Sequence, residues 1–138
     1  LQTFLPYENF GLCAQCLDRL RLGKQRVEAW QILERCLDLK VDRWSNHPAV
    51  RMWRGHEEQL CLYGLHCCES WRKRGYNDAM TERFNEALEW VLGTERPPWL
   101  GDRDFHMSHR SNLVRKLPEH YRKFFGDIPN DLPYVWPV

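Results

Sequence analysis

The sequence has no excess of either charge: 20 Lys and Arg stand against 19 Asp and Glu, leaving +1 over 138 residues. A total this close to zero neither identifies nor excludes a polyanionic partner, so the distribution of charge has to decide. No apolar run reaches the ~18 residues that a membrane span needs, and Leu1 to Tyr7 carry neither the basic head nor the apolar stretch of a secretion signal. No cysteine follows Cys68, so a disulfide framework drawn from positions 13, 16, 36, 61, 67 and 68 would leave the second half unstapled. Reduced thiols, a cytoplasmic location and no membrane partner are therefore expected. Alternating runs joined by hairpin dipeptides, internal repeats and low-complexity linkers are also missing, which argues against sheet and repeat architectures. There is no Walker loop, dinucleotide fingerprint, nucleophile elbow or His-Glu-x-x-His.

What is present is an apolar content of 43% with 7 Trp, 5 Tyr and 6 Phe, enough for one core in a single domain over 1–138. Helical periodicity dominates, and the expected fold is all-α: a compact domain of about five helices with an extended aromatic C-terminal arm. Asn9 caps a helix to Arg21, and Gly23 marks a bend before a second helix from Lys24 to Leu39. Pro48 opens the longest helix, which runs to Arg74 with Gly75 as its stop. Asn77 caps a helix through Leu92, and Gly93 to Asp104 forms a loop. Ser108 caps a last helix that ends before Pro118, with a further turn through Phe125. Three prolines after Gly126 exclude helix there, so Tyr134 and Trp136 lie on an irregular arm that either covers the core or presents its rings.

Several residues break the local pattern. Basic residues cluster at Arg19, Arg21, Lys24 and Arg26, a segment without an acid. Arg26 falls among Leu22, Ala29, Trp30, Leu33 and Leu37, so its stem packs while its head reaches solvent, or it faces a concave polar site. On the long helix Glu57 occupies a position in the stripe Trp53, Leu60, Gly64, Cys67, Trp71, and a buried carboxylate requires a cation or several donors. Arg26 is the partner expected for it, with Arg54 and His56 beside the same stripe. Glu28 shares a face with Lys24 and Arg35, the pattern of a solvated helix surface. Cys13-x-x-Cys16 is unduplicated and falls in a helical pattern, so buried small thiols are expected rather than a zinc half-site, and no metal or cofactor is called for.

Leu22-Gly23-Lys24-Gln25-Arg26-Val27-Glu28, Asn46-His47-Pro48, Gly55-His56, Trp71-Arg72-Lys73-Arg74-Gly75-Tyr76 and Lys116-Leu117-Pro118-Glu119-His120-Tyr121, in this order and spacing, resemble the pyrimidine-dimer DNA glycosylase family. These are small all-helical repair enzymes of the phage endonuclease V type. The resemblance covers nearly the whole chain. It implies a monomeric glycosylase with abasic-site lyase activity on damaged or modified pyrimidines in duplex DNA, working through an amine, a Schiff base and a carboxylate. The family's nucleophile is an N-terminal threonine α-amine. Such an amine has a pKa of about 8 against about 10.4 for lysine, so far more of it is unprotonated at neutral pH. Here the threonine is Thr3, and the amine is that of Leu1, of a processed Thr3, or of Lys24. The family's essential glutamate follows a Leu…Arg segment; Leu22…Arg26-Val27-Glu28 is the nearest match, and Glu57 is the competing acid. Arg19, Arg21, Lys24, His56, Arg110, Arg115 and Lys116 are the expected DNA contacts, with Tyr134 and Trp136 available to stack on an exposed ring. The alternative is a DNA-binding module of the same fold whose chemistry is lost or changed.

Overall fold

A computed structural model describes all residues, 1–138. It is entirely helical, with α1 Phe10–Cys16, α2 Arg19–Cys36, a 3-10 turn Arg43–Asn46, α3 Pro48–Arg51, α4 Glu57–Lys73, α5 Thr81–Val91, α6 Arg103–Lys116 and α7 Pro118–Phe125. Helix α4 is central: it packs against α2, α5 and α1, while α6 and α7 pack on each other. The core holds the fully buried rings of Trp53, Tyr63, Phe84, Phe105 and Tyr121 between these layers. Gly64 of α4 faces Phe84 of α5 so closely that a Cβ there would collide with the ring, which lets the two helices approach.

The all-α class is as expected, but there are seven helices and a 3-10 turn where about five helices were expected, and boundaries shift. The first break falls at Leu17–Asp18 rather than Gly23, because Leu17 leaves the helical region at ψ 138° and Asp18 accepts from the Arg21 amide to start a new helix. Gly23 therefore sits inside an unbroken α2, where Trp71 Cη2 lies 3.0 Å from the place a Cβ would take. The expected helix from Pro48 to Arg74 is two helices, since Gly55 at φ +86° cannot continue the first. Helix α5 starts at Thr81 rather than beside Asn77, because Asp78 accepts from the Met80 and Thr81 amides at 3.2 and 2.8 Å. Helix α6 begins before Ser108: Asp102 accepts from the Asp104 and Phe105 amides, and Ser108 Oγ bonds back to the Phe105 carbonyl from inside the helix.

After Gly126 the chain runs without helix or strand along α6. Leu132 N–H donates to Ser111 Oγ at 3.0 Å and Val135 N–H to Ser108 Oγ at 3.2 Å. No helix is long and apolar enough to cross a membrane.

Candidate active-site groove

Helix α2 presents Leu20, Lys24 and Glu28, spaced at i, i+4 and i+8, as a ridge. Leu20 is 68% exposed, more than an aliphatic core residue would be. A depression of about 530 Å³ on one side is lined by Arg19, Gly23, Val27 and Trp71. The other, about 500 Å³, is lined by Gln2, Phe4, Arg21 and Lys116. The three ridge residues border both, so the groove has cationic rims, apolar walls and one carboxylate at its centre.

That carboxylate is half-buried rather than on the solvated surface expected for it. Burial pushes the Glu28 carboxyl above its ordinary range, against the opposing pull of the Leu1 α-amino charge, Lys24 and a hydrogen bond from Gln25. The α-amino charge also acts on His47, whose pKa is lowered first by burial and then by that charge. His47 packs near Trp44 and Trp136, with ring centroids 5.5 and 5.9 Å away, and none of the three lines the groove.

The N-terminal segment is held by its backbone. Phe4 N–H donates to Gln25 Oε1 at 2.9 Å, and Leu5 N–H to His109 Nδ1 at 3.0 Å. The Phe4 carbonyl accepts from Tyr63 at 2.8 Å, the Leu5 carbonyl from His106 at 2.7 Å and the Pro6 carbonyl from Arg110 at 2.6 Å. These bonds join the segment to α2, α4 and α6 and fix where its amino end lies.

The residues singled out from the sequence divide accordingly. Arg19, Arg21, Lys24, Glu28 and Lys116 gather at the groove. Thr3 is buried, its hydroxyl accepting from Trp53 Nε1 at 3.1 Å. Arg26 does not pair with Glu57. It bonds to Asp78, with its guanidinium 4.6 Å from the Trp71 ring centroid. Glu57 is buried at the start of α4, where it accepts from the His56 amide at 2.9 Å; Cys36 and Cys61 are close enough to feel its charge. The His56 ring bonds to the Glu95 carbonyl, and neither residue lines the groove. Arg110 is committed to the Pro6 carbonyl, and Arg115 to Asn112 and the Leu132 carbonyl. Tyr134 packs against His109 and Trp136, and burial raises its hydroxyl to about 12. Cys13 and Cys16 lie buried within α1, and burial pushes both thiols up.

Sequence reasoning missed Gln25, and Trp71 as a groove wall. Gln25 was legible in principle: it is a polar residue in the buried stripe Leu22, Gln25, Ala29, Ile32, Leu33, one helical position from the Arg26 that was placed there.

A family model described as pyrimidine dimer DNA glycosylase matches residues 1–84. That span holds the N-terminal segment, all of α1 to α4 and the acid of the groove, and stops within α5. Neither a curated protein nor a solved structure matches the chain.

Proposed function

The chain belongs to the pyrimidine dimer DNA glycosylase family, and from that premise we propose that the α2 groove excises damaged pyrimidines from duplex DNA and cleaves the resulting abasic strand, with Glu28 as its acid. The observation that carries this reading is the half-buried Glu28 carboxylate at the centre of a groove with cationic rims, one helical turn from the Lys24 amine on the same ridge.

The chemistry follows from that arrangement. An unprotonated amine attacks C1′ of the deoxyribose; a C–N bond forms as the bond to the base breaks, and the base leaves with its electron pair and takes up a proton. Ring opening gives a Schiff base. Glu28 stabilises the cationic sugar during the first step, and as a carboxylate it assists removal of the C2′ proton, which expels the 3′ phosphate. The α-amine is the better nucleophile at neutral pH because of its lower intrinsic pKa, and Lys24 is its competitor. Arg19, Arg21 and Lys116 hold phosphates on either side of the ridge. The enzyme works as a monomer and needs no metal.

The test is borohydride trapping on duplex containing a thymine dimer or an abasic site, followed by mass spectrometry of the adduct and of the mature N-terminus. A covalent adduct at the α-amine or at Lys24 is expected. Retained binding with neither adduct nor cleavage would overturn the enzymatic reading in favour of a DNA-binding module with altered chemistry. Glu28→Gln is expected to lose at least ~100-fold in cleavage while keeping DNA affinity, and Glu57→Gln to keep its activity. The opposite result would move the catalytic role to Glu57.

A further inference from the structure

Gln25 has no exposed surface, yet it is polar and sits in the core stripe of α2. Both of its amide groups are fully used. Oε1 accepts from Phe4 N–H at 2.9 Å and lies 2.7 Å from the Tyr63 hydroxyl, whose single proton it shares with the Phe4 carbonyl. Nε2 donates to the Gln2 carbonyl at 3.0 Å and to Glu28 Oε2 at 2.9 Å. An amide has two donor hydrogens and two acceptor lone pairs, so none is left over. The orientation is forced as well: rotating the amide would set NH₂ against the Phe4 N–H and oxygen against both the Gln2 carbonyl and the Glu28 carboxylate.

We propose that Gln25 is a positioning residue, a buried amide that fixes the Glu28 carboxylate and the N-terminal segment at one separation across the groove. The proposal rests on the reading of Glu28 given above. Anchoring the segment does not by itself require the bond to Glu28, because Tyr63, His106, His109 and Arg110 already hold the carbonyls of Phe4, Leu5 and Pro6 and the amide of Leu5. Gln25 alone bonds to both the segment and the carboxylate. Its donor favours the charged form of Glu28, the form that can stabilise a sugar cation and accept a proton. The charged groups around Glu28 are Lys24 and Arg21 on α2, Arg19 at the far rim, the Leu1 amine, and Lys116 at the end of α6. All are cations, so Gln25 is the neutral partner that gives the carboxylate direction as well as charge.

The test reads Glu28 by carbon NMR titration and, separately, turnover on abasic duplex. In Gln25→Met, which keeps the volume and removes the donor, the Glu28 titration is expected to move up by about one pH unit. The acid limb of the pH–kcat profile should follow it, and kcat should fall by about 10-fold or more with KM little changed. Tyr63→Phe removes bonds from the same network while sparing the donor to Glu28, and should leave the titration in place. If Gln25→Met does not fold, the wild-type protein still decides: the Gln25 side-chain amide resonances should titrate with Glu28 and stop doing so in Glu28→Gln. A flat amide resonance, or a Glu28 titration unmoved in folded Gln25→Met, overturns the proposal. Because both NMR readouts are independent of turnover, an inactive wild-type protein would count against the enzymatic reading while the role of Gln25 was still measured.

Discussion

At the scale of single residues, one of the side chains that hold the N-terminal segment cannot carry charge where it sits. His109 is fully enclosed, and burial first, then the neighbouring His106, takes its pKa down to about 3. Its Nδ1 accepts from Leu5 N–H, which requires an unprotonated nitrogen. In the unfolded chain the same ring titrates at about 6.5. Between those two values the unfolded chain binds a proton that the folded chain refuses, so the contribution is complete above about pH 6.5 and is lost as pH falls toward 3. The melting temperature is therefore expected to begin falling below about pH 6.5, before ordinary carboxylates titrate. His109→Asn, which keeps an acceptor but does not ionise, should flatten the slope between pH 6.5 and 5 while lowering the plateau. An equal slope in both proteins would mean that other groups, His106 or His47, carry the effect.

At the scale of elements, the α4–α5 contact depends on a residue with no side chain. Adding a Cβ at Gly64 pushes into the ring of Phe84, which is itself fully buried, and a well-packed core relaxes only in part. Gly64→Ala would gain helix propensity of at most ~1 kcal/mol in α4. Overpacking costs about 1–3 kcal/mol, so a net loss of stability is expected in denaturant unfolding, with restoration by the double variant Gly64→Ala/Phe84→Leu. An unchanged midpoint would show that α5 can slide without cost. The same scale shows how much the sequence discloses. Periodicity located α2, α4 and α5, because apolar spacing and terminal glycines such as Gly75 are local signals. The phase of α2 was not local: Gln25 faces inward beside the largely buried Arg26 because Tyr63 and the N-terminal backbone supply three of its four partners, and those come from distant parts of the chain. Arg26 finds its own partner in Asp78 across 52 residues. Burial of Asp78 raises its carboxyl, but hydrogen bonds from Thr81, from Arg26 and from the Met80 and Thr81 amides outweigh that and bring it down to about 2. Glu57 was correctly expected to face inward, yet its donor is an adjacent backbone amide that no pattern of side chains announces.

At the scale of the whole molecule, a net charge of +1 describes a surface on which cations are divided between two tasks. Arg110 and Arg115 are tied to the backbone of the N-terminal segment and the arm, whereas Arg19 and Lys116 are exposed on opposite rims of the groove. Arg21, between them, is partly neutralised by Asp18 at 3.1 Å. Phosphate contacts release counterions, so each contributes about 0.9 to the slope of log affinity against log salt on duplex DNA. Arg19→Ala and Lys116→Ala are each expected to lower that slope by about 1 without altering the melting temperature. Arg115→Ala should instead loosen the arm through the lost Asn112 and Leu132 bonds, lowering stability while leaving the slope nearly unchanged. Affinity measured on one duplex over a range of salt concentrations, beside thermal melts of the same variants, separates the two groups. If the slope is insensitive to Arg19 and Lys116 but falls with Arg115, the duplex lies along α6 and the arm, and the α2 groove is not the face that meets DNA.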